Sequence, residues 1–284
     1  MALVILLSFL FGAIIGSFLN VLTIRYNTGK GMGGRSACMT CGVKLKWYEL
    51  IPVVSYFFQG GRCTNCGSRV AWQYPAVEIL TGIVFSSVFY KYWLFYQPFF
   101  DFAPETSSPN IFLFFIVVMT FISVALWLIP FSFLIFIVVY DIRHKIIPNG
   151  AVWFLIFFAL AVSFLEVFLT WPYIQIPWVH LSAGPLLALP LALLWFFSRG
   201  RAMGFGDAKL ALATGWLLGL AQGVSALLIA FWIGGVVSIY LLVRRKSGFS
   251  MKSEIPFAPF LVLGIFISFF FNVDLFGLET FFQK

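Results

Sequence analysis

Long apolar stretches alternate along the whole chain with short polar clusters that contain glycine or proline. Between Ile111 and Tyr140 thirty consecutive residues carry no charge, and a helix crossing the hydrocarbon core needs about 20. The pattern predicts eight membrane segments, at 3–24, 75–96, 111–140, 151–169, 181–197, 208–220, 224–243 and 257–271. The third would rise about 45 Å as a helix, with Pro130 inside it as a possible kink site. The sixth is short and fits a partial or tilted crossing. The first run, from Ala2 to Leu22, has no basic residues before it and no small-residue cleavage site after it, so it reads as a retained helix.

Composition strengthens this picture. Of 284 residues, 62% are hydrophobic and 10% charged, against about 25% charged in a soluble domain. The polar surface is too small to coat a water-soluble globule. Aromatic residues make up 20%, mostly Phe, which suits lipid contact and helix packing.

The net charge of +8 raises the question of nucleic acid, and its distribution answers it. Sixteen of the 18 basic residues fall in alternate connections. Arg25, Lys30, Arg35, Lys44, Lys46, Arg62 and Arg69 follow the first segment, and Arg143 and Lys145 the third. Arg199, Arg201 and Lys209 follow the fifth, and Arg244, Arg245, Lys246 and Lys252 the seventh. The opposite side holds Lys91 and Lys284 together with Asp101, Glu105, Asp274 and Glu279. Basic loops stay in the cytoplasm. Both termini are therefore expected outside, and a further crossing in the third run would break the alternation. The charge reports topology, and nucleic acid is not an expected partner.

One connection, residues 25–74, is long enough to be a small domain, which divides the chain into a first helix at 1–24, this segment, and a bundle at 75–284. All four cysteines lie in it, as Cys38-Met39-Thr40-Cys41 and Cys63-Thr64-Asn65-Cys66, with 21 residues between the pairs. Two such pairs can supply four thiolates to one tetrahedral Zn²⁺. Gly42 and Gly67 follow the pairs and permit the positive φ of a knuckle turn. Disulfides are the competing reading, and a reducing cytoplasm disfavours them. A closed four-sulfur site is structural, and would staple a segment too poor in apolar residues to fold alone.

Ionisable groups at membrane depth are functional candidates, and three stand out: Glu78, Asp141 and Asp207. Asp141 closes the third apolar run. Asp207 lies in Gly204-Phe205-Gly206-Asp207-Ala208-Lys209, before the sixth. The topology places both aspartates at one edge of the bilayer. Two carboxylates sharing a site can act as an acid/base pair, one activating water and one polarising a carbonyl. Gly204 and Gly206 would let a substrate backbone approach, with Lys209 beside it. The residues alone leave other roles open. Asp207 could cap a helix, Asp141 could pair with Arg143 or Lys145, and both could relay protons in a transporter. No His-Glu-x-x-His or Gly-x-Ser-x-Gly motif is present.

Further stretches complete a recognisable order. They are Gly16-Ser17-Phe18-Leu19-Asn20-Val21, the cysteine pairs, Ile51-Pro52-Val53-Val54-Ser55 and Tyr74-Pro75-Ala76-Val77-Glu78. After them come Asp141 with Ile147-Pro148-Asn149, the Gly204–Lys209 stretch, and Ile255-Pro256-Phe257-Ala258-Pro259-Phe260. In this order the chain resembles the bacterial type IV prepilin peptidases. Gly-x-Gly-Asp alone is a weak signal; the ordered set is specific. The resemblance implies an aspartic endopeptidase of the cell membrane that removes the short basic leader of prepilins or pseudopilins after a glycine at the cytoplasmic face. Asp141 and Asp207 take the catalytic places. It also implies methylation of the new N-terminus with S-adenosylmethionine, associated with the cysteine segment, and makes Glu78 a candidate for orienting that amine. The family serves type IV pili and type II secretion. Ala258 stands where glycine is common in the family, with packing as the expected consequence.

Helix dipoles suggest one refinement. Asp141 ends a helix and Asp207 begins one, which would make Asp207 the ionised partner and Asp141 the acid. A proton-coupled transporter and a non-enzymatic assembly factor are the competing classes; both tolerate the absence of peptide cleavage.

Overall fold

The computed structural model describes residues 1–29, 33–101, 109–170, 177–201, 203–244 and 255–278. Lys30, Glu105, Arg245, Lys246, Lys252, Glu279 and Lys284 from the charge alternation lie outside the described residues. The chain is helical, with α1 at Ala2–Arg25, α2 at Val54–Phe58, α3 at Gln73–Asp101 and α4 at Pro109–His144. Then follow α5 at Asn149–Thr170, α6 at Pro177–Ser198, α7 at Phe205–Arg244 and α8 at Ala258–Phe271. Among the described residues the only strand pairing is two isolated bridges, Ala37 with Lys44 and Arg62 with Arg69.

Six of these helices are long and apolar enough to cross a membrane. The third predicted segment is one helix, running through Pro130 without a break. The sixth and seventh are two limbs of α7. At Gly219 the backbone leaves the helical region, with φ 74° and ψ 178°, a combination open essentially to glycine. The chain doubles back there. A Cβ at Gly223 would lie 3.6 Å from the Gly215 Cα, whereas eight residues of straight helix span about 12 Å. The two limbs with α1, α3, α4, α5, α6 and α8 match the eight predicted segments in order. The chain is a polytopic, all-α membrane protein.

The chain forms two compact units, residues 1–139 and 140–284. In the first, α1 and α3 pack backbone to backbone. A Cβ at Gly12 would lie 2.7 Å from the Thr81 carbonyl oxygen, and one at Gly16 2.8 Å from the Glu78 Cα. Small residues at such a crossing bring two helices close where lipid offers no hydrophobic drive for association. In the second unit α7 packs against α5, α6 and α8. Gly215 meets the Ala183 carbonyl of α6 and Gly264 of α8 meets the Ala226 carbonyl. The Trp216 indole N–H donates to the Leu181 carbonyl at 2.8 Å, and the Ser268 hydroxyl to the Gln222 carbonyl at 2.8 Å. These bonds satisfy polar groups internally, as a bilayer demands.

Candidate active site and metal centre

Asp141 sits in the last turn of α4, which Lys145 ends in the left-handed region at φ 55°. The Lys145 N–H donates to the Asp141 carbonyl at 2.7 Å, a helix-terminating turn. The chain passes Ile147 and Pro148 and starts α5 at Asn149. Asp207 sits in the first turn of α7. Both aspartates belong to the second unit. They are buried, 5% and 7% exposed, and near enough for the charge of Asp141 to act on Asp207. The tertiary structure thus brings together two carboxylates 66 residues apart in sequence.

Each carboxylate holds one backbone amide. Gly204 donates to Asp207, so a capping contact and a place in the pair coexist in one residue. Ala258, the first residue of α8, donates to Asp141. Asp141 therefore ends one helix and faces the N-terminus of another. Helix position, which from sequence placed Asp141 only at a helix end, therefore does not separate the two aspartates. The ion pair considered for Asp141 does not form: no salt bridge to Arg143 or Lys145 is present among the described residues. The His144 ring stacks on Tyr140 at 4.3 Å.

The glycine stretch and the turn after Asp141 interlock. A Cβ on Gly206 would lie 3.0 Å from the Ile147 Cβ, so glycine there permits the close approach. Lys209 donates from Nζ to the Asn149 Oδ1 at 3.0 Å and lies over the Trp153 and Phe205 rings at 5.6 and 5.2 Å. Lys209 thus ties the start of α7, which carries Asp207, to the start of α5, where the chain emerges from the turn after Asp141. Lys209, expected from the sequence beside the substrate, is bonded here to Asn149, and Ala258, expected only to pack, presents its amide to Asp141. The Ala258 side chain is fully buried, but its amide is what reaches Asp141. The Ile255–Phe260 stretch carried the signal; what it contacts was not readable from it.

The four cysteines belong to the first unit. In each pair the glycine after the second cysteine takes positive φ, 72° at Gly42 and 67° at Gly67. Each of these glycines donates its N–H to the carbonyl of the first cysteine at 2.9 Å. The sulfur of that first cysteine receives two amides, from Cys41 and Thr40 at Cys38, and from Cys66 and Asn65 at Cys63. The two pairs are the same knuckle built twice. Asn65 of the second knuckle donates from its side-chain amide to the Cys41 sulfur of the first at 3.7 Å, and Glu49 ties the 47–50 turn to the second knuckle by accepting the Lys46 amide and the Thr64 hydroxyl.

This geometry fits a metal. Four sulfurs bound tetrahedrally to Zn²⁺ at about 2.3 Å lie about 3.8 Å apart. The Cys38 and Cys66 sulfurs are 3.8 Å apart, and all four lie within 4.8 Å of one another. All four are free thiols, which removes the disulfide reading. The Cys41 and Thr40 amides, with the Ser68 hydroxyl, hold the Cys38 thiol down to about 5. A thiolate at neutral pH is the form a metal needs.

Glu78 lies in the first unit on the α1–α3 crossing. Its carboxylate accepts the Val53 amide at 2.7 Å and the Ser17 hydroxyl. Asn20 nearby is 1% exposed and donates to the Tyr74 carbonyl at 3.1 Å.

Known proteins resolve what this geometry belongs to. Residues 10–92 match the bacterial peptidase A24 N-terminal domain, and residues 128–239 match the type IV leader peptidase family. The first stretch holds all four cysteines and Glu78; the second holds both aspartates. A prepilin leader peptidase/N-methyltransferase of Bacillus subtilis (strain 168) is 26% identical over 265 residues, 93% of this chain and 93% of that one. Proteins of the same description from Legionella pneumophila and Xanthomonas campestris are 29% and 27% identical. These matches span 84% and 82% of this chain, and 72% and 71% of theirs. No solved structure matches the chain. With both halves of the motif order matched in place, the chain belongs to the type IV leader peptidase family.

Proposed function

We propose that this protein is an aspartic endopeptidase that removes the leader of prepilins or pseudopilins, cutting after a glycine at the cytoplasmic face of the bacterial cell membrane. The observation that carries this reading is the burial of Asp141 and Asp207 together, each on one backbone amide and, among the described residues, with no cation paired to Asp141. Two carboxylates this close hold one proton between them. The ionised one takes a proton from water as that water attacks the scissile carbonyl. The protonated one donates to the carbonyl oxygen, and the proton then passes to the leaving amine. The pair titrates as a unit, so neither role belongs to one residue at rest. Gly204 and Gly206 would admit the extended substrate backbone, and Lys209 would hold the two aspartate segments in register.

The charge alternation favours the cytoplasmic face. A basic leader would stay there while the adjoining apolar helix of the substrate sits in the bilayer. The scissile bond then lies level with the aspartates.

Methylation of the new N-terminus is the second half of the reading, carried by the name of the relatives. S-adenosylmethionine would supply the methyl group from its sulfonium. Glu78 is the candidate for orienting the amine, because a carboxylate has about four acceptor positions and two are taken here. The four-cysteine segment, residues 25–74, would hold one structural Zn²⁺ through Cys38, Cys41, Cys63 and Cys66.

The test uses purified protein in detergent or nanodiscs and a prepilin-like peptide with a Gly-Phe junction. Cleavage at that junction by the wild type, and none by Asp141→Ala or Asp207→Ala, is expected. Wild-type protein that leaves the peptide intact but moves protons or solute across vesicles would replace the peptidase by a transporter. Labelled S-adenosylmethionine in the same reaction reads methylation.

A further inference from the structure

Between the two knuckles the chain carries a run of uncovered apolar side chains. Trp47, Leu50, Ile51, Val54, Phe57 and Phe58 are all exposed, Trp47 to 78% and Phe58 to 88%. They add nothing to the sulfur cluster. A patch of this kind facing water marks a contact surface.

Two contacts fix the depth of this run against α3. The Val53 N–H donates to the Glu78 Oε2 at 2.7 Å. Glu78 lies five residues beyond Gln73, where α3 begins, which is roughly 7 Å along the helix. Trp72, the residue before α3, meets the Tyr56 and Phe57 rings edge-on at 5.6 and 6.1 Å. So α2 begins alongside the first turns of a membrane-spanning helix, and its aromatic residues stay at the level where that helix enters. Val53 is held at φ 62°, a region β-branched residues avoid. The Glu78 bond secures this conformation.

Charge selects what lies opposite. Residues 25–74 contain seven basic residues and one acid, Glu49. Glu49 is engaged within the segment by the Lys46 amide and the Thr64 hydroxyl. Lys44, Lys46, Arg62 and Arg69 are exposed. A basic leader peptide would be repelled by such a surface, whereas acidic lipid headgroups are drawn to it at about 1 kcal/mol per Lys or Arg.

We propose that residues 47–58 form an interfacial membrane anchor. The Trp47–Leu50 turn and α2 lie in the plane of an anionic bilayer surface, with their aromatic and aliphatic side chains at the acyl boundary. Lys44, Lys46, Arg62 and Arg69 rest on the headgroups. The four-cysteine segment is then a platform fastened to the membrane between α1 and α3, with Glu78 as the pin that sets its depth.

The test uses the full-length protein in nanodiscs of phosphatidylglycerol and phosphatidylethanolamine. A benzophenone side chain in place of Phe58 is expected to form lipid adducts on illumination, and one in place of Arg35 is not. Amide exchange of residues 54–58 is expected to be roughly tenfold slower in these discs than in phosphatidylcholine discs, the effect of one or two basic contacts. Phe57→Ser with Phe58→Ser should erase that difference while retaining the bound zinc, which certifies the fold. Glu78→Gln should speed exchange roughly tenfold in both lipids, from loss of a charge-assisted bond. Adducts at position 58 to a second protein chain, no adducts there, or equal exchange in the two bilayers would each overturn the anchor.

Discussion

The four-cysteine segment and the aspartate unit solve opposite problems. Each sulfur knuckle is assembled within about six consecutive residues. Cys38 and Cys63 each take their amides from the two residues that end the same pair, and Gly42 and Gly67 close the turns. Only the meeting of the knuckles is long-range, where Asn65 donates to the Cys41 sulfur and the Cys38 and Cys66 sulfurs lie 3.8 Å apart. The aspartate site has no local part of comparable completeness. Asp141 comes from the end of α4, Asp207 from the start of α7 and the Ala258 amide from α8. The first region is locally encoded, and its four sulfurs fit a structural metal. The second is held by helix packing, with α7 against α5, α6 and α8.

The difference can be broken in both directions, and the largest effect comes from the aspartates. Asp141→Asn or Asp207→Asn is expected to reduce cleavage by a factor of about 10³ or more, since acid/base work in the transition state is lost. The bound zinc should be unchanged. Peptide cleavage and metal analysis on the same preparation read both. A variant that loses zinc would show the two regions to be coupled.

Cys38→Ser or Cys63→Ser is the reverse experiment. Zinc content should fall from one per chain towards zero, because a four-thiolate site carries about 10–16 kcal/mol of binding in zinc-finger peptides. Residues 33–72 should become rapidly exchanging and protease-sensitive, while cleavage of a short peptide persists. Strong chelation should reproduce this.

Lys209 tests how the aspartate unit is held. Lys209→Met removes the bond to Asn149 and the cation over Trp153 and Phe205. A drop of about tenfold in kcat with KM little changed is expected, since one charge-assisted bond contributes about 1.5–3 kcal/mol. Lys209→Arg should restore part of it, and a rise in KM alone would make Lys209 a substrate contact instead.

Gly219→Ala probes the hairpin of α7. Nothing lies within 4 Å of the added Cβ, so the penalty is conformational, about 1–3 kcal/mol. It should appear as a lower unfolding temperature in detergent, with zinc retained. The smallest effect belongs to Ala258→Gly. The Asp141 contact is a backbone amide, so activity within about twofold of wild type is expected, a helix-end Gly differing from Ala by well under 1 kcal/mol.

The helices were legible because a bilayer leaves the backbone few choices. Thirty uncharged residues ending at Tyr140 allow little but a helix, and α4 runs through Pro130 as one element. The knuckles were legible because cysteine spacing and following glycines are local signals. The α7 hairpin was half legible: the segments at 208–220 and 224–243 were separated correctly, but the turn between them rests on one glycine.

Contacts between distant segments were not legible. The ordered motifs named Asp141 and Asp207 as a pair. That Asp141 also faces the N-terminus of α8 required the fold, and this removed the dipole argument for which aspartate is ionised. Glu78 was singled out as a buried carboxylate. Its hold on Val53, just before α2, appears only when residues 25 apart meet.

The sequence by itself determined the membrane class, the alternation of basic loops and the paired spacing of the four cysteines. Each of these follows from composition or short-range spacing. Tertiary structure alone decided that the two carboxylates are buried near each other, that the Ala258 amide reaches Asp141 and Lys209 reaches Asn149, and that α2 meets the start of α3. These depend on helix crossings set by backbone-close contacts at Gly16, Gly215 and Gly264. Steric fit between residues far apart in the chain leaves no periodic trace along it.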